Sequence, residues 1–252
     1  MLSMRKMPDA VILCGGAGLR LRTLIGETPK GMASVAGRPF LEVLLRQLVR
    51  YGFERAILAV GYQREVIQSH FGERAFGLEL VYSAEASPLG TGGALRNAAE
   101  LIETDGALVM NGDSYTDVDL SRFVGDYRKT APDVSIVVVP ADGRGDCGFV
   151  LIDGVGRVVG FDEKRASSTT CYVNAGIYMF ARDGVYEITA EREVSLERQL
   201  LPLWLGQGKH VRGFIHSGEC VDIGTPERYL SAQAILANVE ADSCALSSEN
   251  PI

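Results

Sequence analysis

An apolar run, Val11–Leu13, leads through Cys14 into Gly15, Gly16 and Gly18, with Arg20 and Arg22 close behind and Lys30 ten positions after Arg20. No other stretch constrains the fold so tightly. A short apolar run of this kind reads as a buried strand, and the glycines let consecutive backbone N–H groups turn toward one anion. The arginines and the lysine add full positive charge, so a polyphosphate is the natural ligand. A tight turn after a strand would account for an isolated glycine cluster; the cations favour a binding loop.

Downstream of this loop, helical and strand patterns alternate. PFLEVLLRQLVRYG carries Leu41, Leu44, Leu45 and Leu48 at i, i+3, i+4 and i+7, with Pro39 suited to the first helical turn and Gly52 to the stop. RAILAVGY reads as a strand, the stretch around Val66, Ile67 and Phe71 as a short helix, and LELVYS as a third strand. TGGALRNAAELI reads as a helix opened by a glycine-rich turn, and GALVMNGD as a strand with a polar tip. Strands alternating with helices and apolar on both faces predict a mostly parallel, Rossmann-like sheet flanked by helices. In such sheets ligands collect beyond the carboxyl ends of the strands, which is where Asn111 and Asp113 fall.

Leu120 to Lys129 predicts another helix and VSIVVVP another strand. GFVLID, RVVGFDEK and YVNAGIYMF then come as three strand-like runs joined by short turns, typical of antiparallel pairing. They are expected to form a strand-rich insertion capping the parallel core. SLERQLLPLWL predicts a helix interrupted by Pro202, HVRGFIH a further strand, and VDIGTPERYLSAQAILANV a strand tip and a last helix with Thr225 as N-cap and Pro226 at its first position. Residues 1–239 are expected to form a single domain, with one half over about 9–140 and a second, strand-rich half over about 141–239. The polar stretch 240–252 is expected to be a flexible tail.

Composition narrows the function. The net charge of -7 opposes a nonspecific nucleic-acid surface, which needs clustered excess Lys and Arg. An anionic ligand must therefore be held locally, by the cationic loop. No apolar run is long enough to span a membrane and the N-terminus lacks a long apolar segment, so the expectation is a cytoplasmic protein without a membrane partner. The five cysteines, Cys14, Cys147, Cys171, Cys220 and Cys244, are scattered and contain no CxxC pair, which argues for reduced thiols. GxxxxGK[ST] occurs nowhere, which excludes a P-loop. Leu21 stands where a dinucleotide fingerprint needs its third glycine, so a dehydrogenase fits poorly.

GGxGxRL, then TPKxM, GRPFLEVLLRQLVRYGF, SPLGTGGAL, NGD, FDEK, NAGIY and VDIGTPE occur in the order and approximate spacing of the sugar-phosphate nucleotidyltransferases, and the resemblance covers about residues 9–238. Among the subfamilies, ILCGG, RPFLE, ILAVGY, YSAEASPLGTGGA and NGDSYTDVDL are most similar to the bacterial D-glycero-α-D-manno-heptose 1-phosphate guanylyltransferases. Leu19 departs from the family's usual Thr or Ser, and Gly31 from its usual Pro.

The resemblance implies a glycosyltransferase-A-like fold and transfer of a nucleoside monophosphate, GMP from GTP in this subfamily, to a sugar 1-phosphate with release of pyrophosphate. It implies Mg²⁺ as cofactor, held by Asp113 and Asp222, because hard carboxylate oxygens suit an ion that keeps several waters and bridges phosphates. Arg20 and Lys30, with Asp113, are the expected catalytic residues. The nucleotide is expected at Cys14, Gly15, Gly16, Gly18, Arg20, Lys30, Glu85, Gly90, Thr91 and Asn111, with Glu85 accepting hydrogen bonds from guanine N1–H and the 2-amino group. The sugar phosphate is expected at Gly112, Gly148, Glu163, Lys164 and Asn174. A phosphate monoester has a second pKa of about 6 and is mostly dianionic at neutral pH, so no general base is needed and His70, His210 and His216 are expected to be bystanders.

Uridylyl, thymidylyl or cytidylyl transfer is the nearest alternative, since base choice rests on few loop contacts. A noncatalytic nucleotide-sugar sensor is another, disfavoured because every expected cation and carboxylate is present. The expected partners are the two small-molecule substrates, and the sequence is compatible with a homo-oligomer.

Overall fold

The computed structural model describes residues 6–141, 149–162, 172–190 and 192–247, the last ten of these by their backbone alone. Its centre is a ten-stranded sheet. β1 (Asp9–Leu13), β4 (Arg55–Val60), β6 (Leu78–Ala84) and β7 (Gly106–Asn111) form the parallel half, with β1 between β4 and β7 and β6 beyond β4. Between them lie α1 (Arg22–Ile25), the ribbon of β2 (Ser34–Val35) and β3 (Arg38–Pro39), α2 (Phe40–Arg50), α3 (Arg64–Phe71), the edge strand β5 (Arg74–Ala75) and α4 (Gly90–Asn97). The predicted helix at PFLEVLLRQLVRYG is α2. Pro39 precedes its first turn and Gly52, at φ 76, ends it.

Side-chain alternation divides the core between the two faces of this sheet. Ala10, Ile12, Leu58, Leu108 and Met110 point to one face, which α2 covers with Phe40, Leu41, Leu44, Leu45 and Leu48, all fully buried. Val11, Ile57 and Val109 point to the other, where Leu95, Ala98, Ala99 and Trp204 pack. Each such leucine contributes about 1.5–3 kcal/mol by leaving water. Strands apolar on both faces are thus explained by helices on both sides.

Beyond β7 come the short β8 (Ser114–Thr116), α5 (Leu120–Thr130), with Asp119 capping it by accepting from Arg122 N–H at 2.9 Å, and β9 (Val134–Pro140). β10 (Phe149–Ile152), β11 (Val158–Asp162) and β12 (Tyr172–Ala181) pair antiparallel as predicted. They do not cap the core. β12 pairs antiparallel with β7 on one side and with β9 on the other, so these strands extend the central sheet itself. The physical reason is the apolar content of β12, whose Val173, Ala175, Ile177, Tyr178, Met179 and Phe180 are all buried and demand cover on both faces.

After α6 (Arg182–Tyr186), the chain makes a π-helical turn over Leu196–Leu200, capped by Ser195, before α7 (Leu201–Gly206), which takes Pro202 in its first turn. β13 (Val211–Ile215) runs parallel to β9, and β14 (Cys220–Asp222) pairs antiparallel with β8. α8 (Pro226–Ser247) follows Thr225, whose Oγ1 accepts from Arg228 N–H at 3.4 Å. The helix continues past residue 240, where the tail was expected to begin. Among the described residues no helix is long and apolar enough to cross a membrane.

Candidate active site

The carboxyl ends of β1, β4, β6 and β7 open into a cavity of about 620 Å³. The loop after β1 forms its floor through Cys14, Gly15, Gly16 and Ala17; the turn after β6 contributes Glu85, Ala86, Ser87, Pro88, Gly90 and Thr91; the end of β7 contributes Asn111, Gly112 and Asp113. Lys30 and Gly31 close one side and Tyr62 another. A parallel sheet brings these loops together because all its crossovers start from the same edge.

Gly18 shows why the loop after β1 is glycine-rich. Its φ is 62, and a Cβ there would lie 3.0 Å from Lys30 Cβ, so the glycine lets the lysine stem lie against the loop. Lys30 Nζ makes a short ion pair with Asp113 Oδ2 across 83 residues of sequence, with the lysine side chain only 13% exposed. Ser114 Oγ donates to the other Asp113 oxygen at 3.0 Å.

Cys14 forms part of the floor without reactive character. Its thiol donates to Ala59 O at 3.3 Å, and burial, followed by the charge of Glu85, pushes its pKa up to about 12. Glu85 stands over Gly15: a Cβ on that glycine would lie 3.1 Å from Glu85 Oε1. Its Oε2 accepts from Leu89 N–H at 3.0 Å. Burial raises this carboxyl above its ordinary value, and the Leu89 hydrogen bond works in the opposite direction.

The turn from Leu89 to Gly93 is fastened to a segment more than a hundred residues downstream. Gly92 N–H donates to Val194 O at 2.7 Å and Val194 N–H to Leu89 O at 2.8 Å. Thr91 Oγ1 accepts from Leu196 N–H at 2.8 Å. That segment also brings Glu193 to the cavity wall.

Ten of the anticipated residues therefore share one wall: Cys14, Gly15, Gly16, Lys30, Glu85, Gly90, Thr91, Asn111, Gly112 and Asp113. Gly18 and Arg20 lie outside it. Arg20 is exposed, and its Nη2 lies 3.7 Å from where a Cβ on Gly224 would stand, beside Asp222. Asp222 reaches the neighbourhood of Asp113 through the β14–β8 ladder, in which it pairs with Ser114, and Ile223 N–H donates to Asp113 O at 2.9 Å. Its carboxylate is engaged by Arg228 Nη1 at 3.0 Å and by Gly224 N–H at 2.8 Å.

Asn174 sits on β12 with its amide turned inward: Nδ2 donates to Tyr178 Oη at 2.7 Å and Oδ1 accepts from Gly176 N–H at 2.9 Å. Gly148, Glu163 and Lys164 lie outside the described residues. Leu19 is 67% exposed, whereas Gly31 is buried against Leu41 and Cys14. None of the three histidines lines the cavity.

Tyr62, Glu193 and Glu197 were not anticipated. Tyr62 follows a strand tip and could have been proposed on that ground. Glu193 and Glu197 carry no spacing signal that separates them from solvent-facing helix residues.

Asp113, in the turn between β7 and β8, and Asp222, at the end of β14 and outside the cavity wall, are neighbours through the β14–β8 ladder and the Ile223–Asp113 backbone bond. Two carboxylates without a third His, Cys, Asp or Glu grouped with them among the described residues suit an ion that completes its shell with water and phosphate oxygens. That donor chemistry fits Mg²⁺ and does not fit a closed structural zinc site.

The family described as "Nucleotidyl transferase" matches residues 9–239. Over 240 residues the chain is 38% identical to a mannose-1-phosphate guanylyltransferase of Mycobacterium tuberculosis, covering 94% of this chain and 67% of the relative. It is 33% identical to a D-glycero-α-D-manno-heptose 1-phosphate guanylyltransferase of Campylobacter jejuni, over 88% of this chain and 96% of that protein. The crystal structure of HddC from Yersinia pseudotuberculosis complexed with GMP-PN superposes with a TM-score of 0.79 at 31% identity, covering 91% of this chain and all of that one.

Proposed function

Because the chain belongs to the nucleotidyl transferase family, we propose that it transfers GMP from GTP to the 1-phosphate of a manno-configured sugar, a heptose or mannose, and releases pyrophosphate. The observation that carries this reading is the Lys30–Asp113 pair on the wall of the cavity that the glycine loop and Glu85 also line. The manno configuration is common to the sugars for which two relatives are named. The product is a nucleotide-activated sugar, the form in which sugars enter surface polysaccharides and glycoconjugates.

Both reactants are anionic, so the first demand on the protein is charge cancellation and in-line alignment at the α-phosphorus. The amides around Gly15, Gly16 and Gly18 take the triphosphate, with Lys30 and Arg20 adding charge where it accumulates on the departing pyrophosphate. Glu85, Gly90 and Thr91 frame the base, with Cys14 and Asn111 in the floor and back wall. The sugar phosphate is taken by Gly112 and Asn174 and, as the family resemblance implies, by Gly148, Glu163 and Lys164. Its dianion attacks without a general base. Asp113 and Asp222 would hold Mg²⁺, which would supply positive charge to offset that of the phosphates. In this reading residues 9–140 and 141–239 act as nucleotide and sugar halves of one domain, in the cytoplasm.

Pyrophosphate release across the four NTPs and a panel of sugar 1-phosphates, with Mg²⁺ and with chelator, tests the reading. GTP with mannose 1-phosphate or D-glycero-α-D-manno-heptose 1-phosphate should give the highest kcat/KM, and chelation should abolish it. A preference for UTP would move the assignment to a uridylyltransferase. No release with any pair, from folded protein, would replace the enzyme with a sensor.

A further inference from the structure

Glu197 lies in the π-helical turn Leu196–Leu200 and is not part of the cavity wall, yet four side chains converge on its carboxylate. Tyr178 Oη donates to Oε1 at 2.8 Å, and Asn111 Nδ2 reaches the same oxygen at 3.5 Å. Thr91 Oγ1 donates to Oε2 at 2.9 Å and Ser195 Oγ at 3.0 Å. Thr91 and Asn111 face the cavity, whereas Tyr178 and its partner Asn174 belong to β12. A π turn places an extra residue in one helical turn and recurs at functional sites. Here it delivers one carboxylate to the junction of both halves of the chain.

A carboxylate can only accept hydrogen bonds. The end of the Asn111 amide that faces Glu197 must therefore be its NH₂, which turns Oδ1 the other way. That oxygen is buried and has no hydrogen-bond partner among the described residues. A buried acceptor left unmatched is costly, and a donor arriving in the cavity relieves the cost. The backbone opposite is shaped around this amide. β12 is bulged between Asn174 and Tyr178, and Gly176 takes φ 75, with the position of its missing Cβ only 2.9 Å from Asn111 Nδ2.

We propose that Glu197 is a positioning residue: it holds the Asn111 amide so that Oδ1 accepts a hydrogen bond from a ring hydroxyl of a bound substrate, ribose or sugar. The inference rests on the guanylyl transfer proposed above. It assigns Asn111 the acceptor role and makes Glu197, which touches neither substrate, responsible for it.

The test is the kcat/KM penalty for deleting a hydroxyl, measured in wild type and in Glu197→Met, Glu197→Gln and Asn111→Ala. One series pairs GTP, 2′-deoxy-GTP and 3′-deoxy-GTP with mannose 1-phosphate; the other pairs GTP with singly deoxygenated mannose 1-phosphates. In wild type one analogue should lose about tenfold, the order expected for one hydrogen bond to a buried partner. That penalty should shrink to less than about threefold in Glu197→Met and Asn111→Ala and survive in Glu197→Gln, which keeps an acceptor. A penalty on the nucleotide series assigns the ribose, and one on the other series the sugar.

An undiminished penalty in either Glu197→Met or Asn111→Ala, or no penalised analogue in wild type, overturns the inference. Thermal melts monitor folding, and if Glu197→Met does not fold, Asn111→Ala decides. Wild type inactive toward every pair instead defeats the reading on which the inference rests.

Discussion

The two ends of the parallel strands each carry an ion pair, and the pairs are built differently. At the amino ends, Asp9 opens β1 and Arg55 opens β4, and they meet at 3.0 Å with side chains only 6% and 11% exposed. Protein groups complete the cluster: Arg55 Nη1 also donates to Leu101 O at 2.8 Å, and Asp9 Oδ2 also accepts from Glu103 N–H at 2.7 Å. At the carboxyl ends, Lys30 and Asp113 are just as closely paired, but they stand on the wall of a cavity of about 620 Å³, with Asp113 37% exposed. Opposite charges alone therefore do not mark a site. A pair closed off by backbone partners holds the sheet together, whereas a pair left facing a cavity is available to a ligand.

The largest expected effects test this contrast at both ends. Lys30→Met should lower kcat by about 10³-fold, the scale for losing a preorganised charge at a developing anion, while denaturant unfolding shifts by no more than about 1 kcal/mol. Arg55→Met should do the reverse. It leaves Asp9 buried without its cation, which costs about 3–5 kcal/mol in the same unfolding measurement, with kcat in the folded fraction within about twofold of wild type. A folded but inactive Arg55 variant, or an unfolded Lys30 variant, would break the distinction.

A smaller effect is expected at Glu85, which combines features of both ends: burial and a backbone partner on one side, the cavity on the other. Glu85→Gln should reduce the preference for GTP over UTP by about tenfold in kcat/KM, as expected from loss of a charged acceptor; an unchanged ratio would remove Glu85 from base selection. The same variant has a pH signature. Burial raises the Glu85 carboxyl above its ordinary value of 4.5, so the folded state keeps this proton to higher pH than the unfolded state does. The associated stability is fully present below the unfolded value and is lost as pH rises through the folded one. The stability of wild type relative to Glu85→Gln should therefore fall as pH rises through that window in urea titrations at successive pH values.

Much of the parallel half was legible because its signals are local. The leucine spacing in α2 encodes its buried face, and the glycines and cations after β1 announce an anion loop before any partner is known. The antiparallel half was legible as strands but not as placement. Nothing within YVNAGIYMF says that it will lie between β7 and β9, because pairing partners are chosen by burial across the whole sheet. The motif's Gly176 makes sense only beside Asn111, a residue from another strand.

By itself, then, the amino-acid sequence determined the strand–loop–helix order, the cationic glycine loop and the membership that eight ordered motifs imply. These properties depend on residues near one another in the chain. Only the tertiary structure decided that Lys30 would pair with Asp113, that Arg20 would stand beside Asp222 and Gly224 outside the cavity wall, and that Glu197 would join Thr91 and Asn111 to Tyr178. Lys30 and Asp113 lie 83 residues apart in the chain and Thr91 and Glu197 106 residues apart. A side chain's chemistry is written in its residue type, but which groups it meets is set by the packing of the sheet.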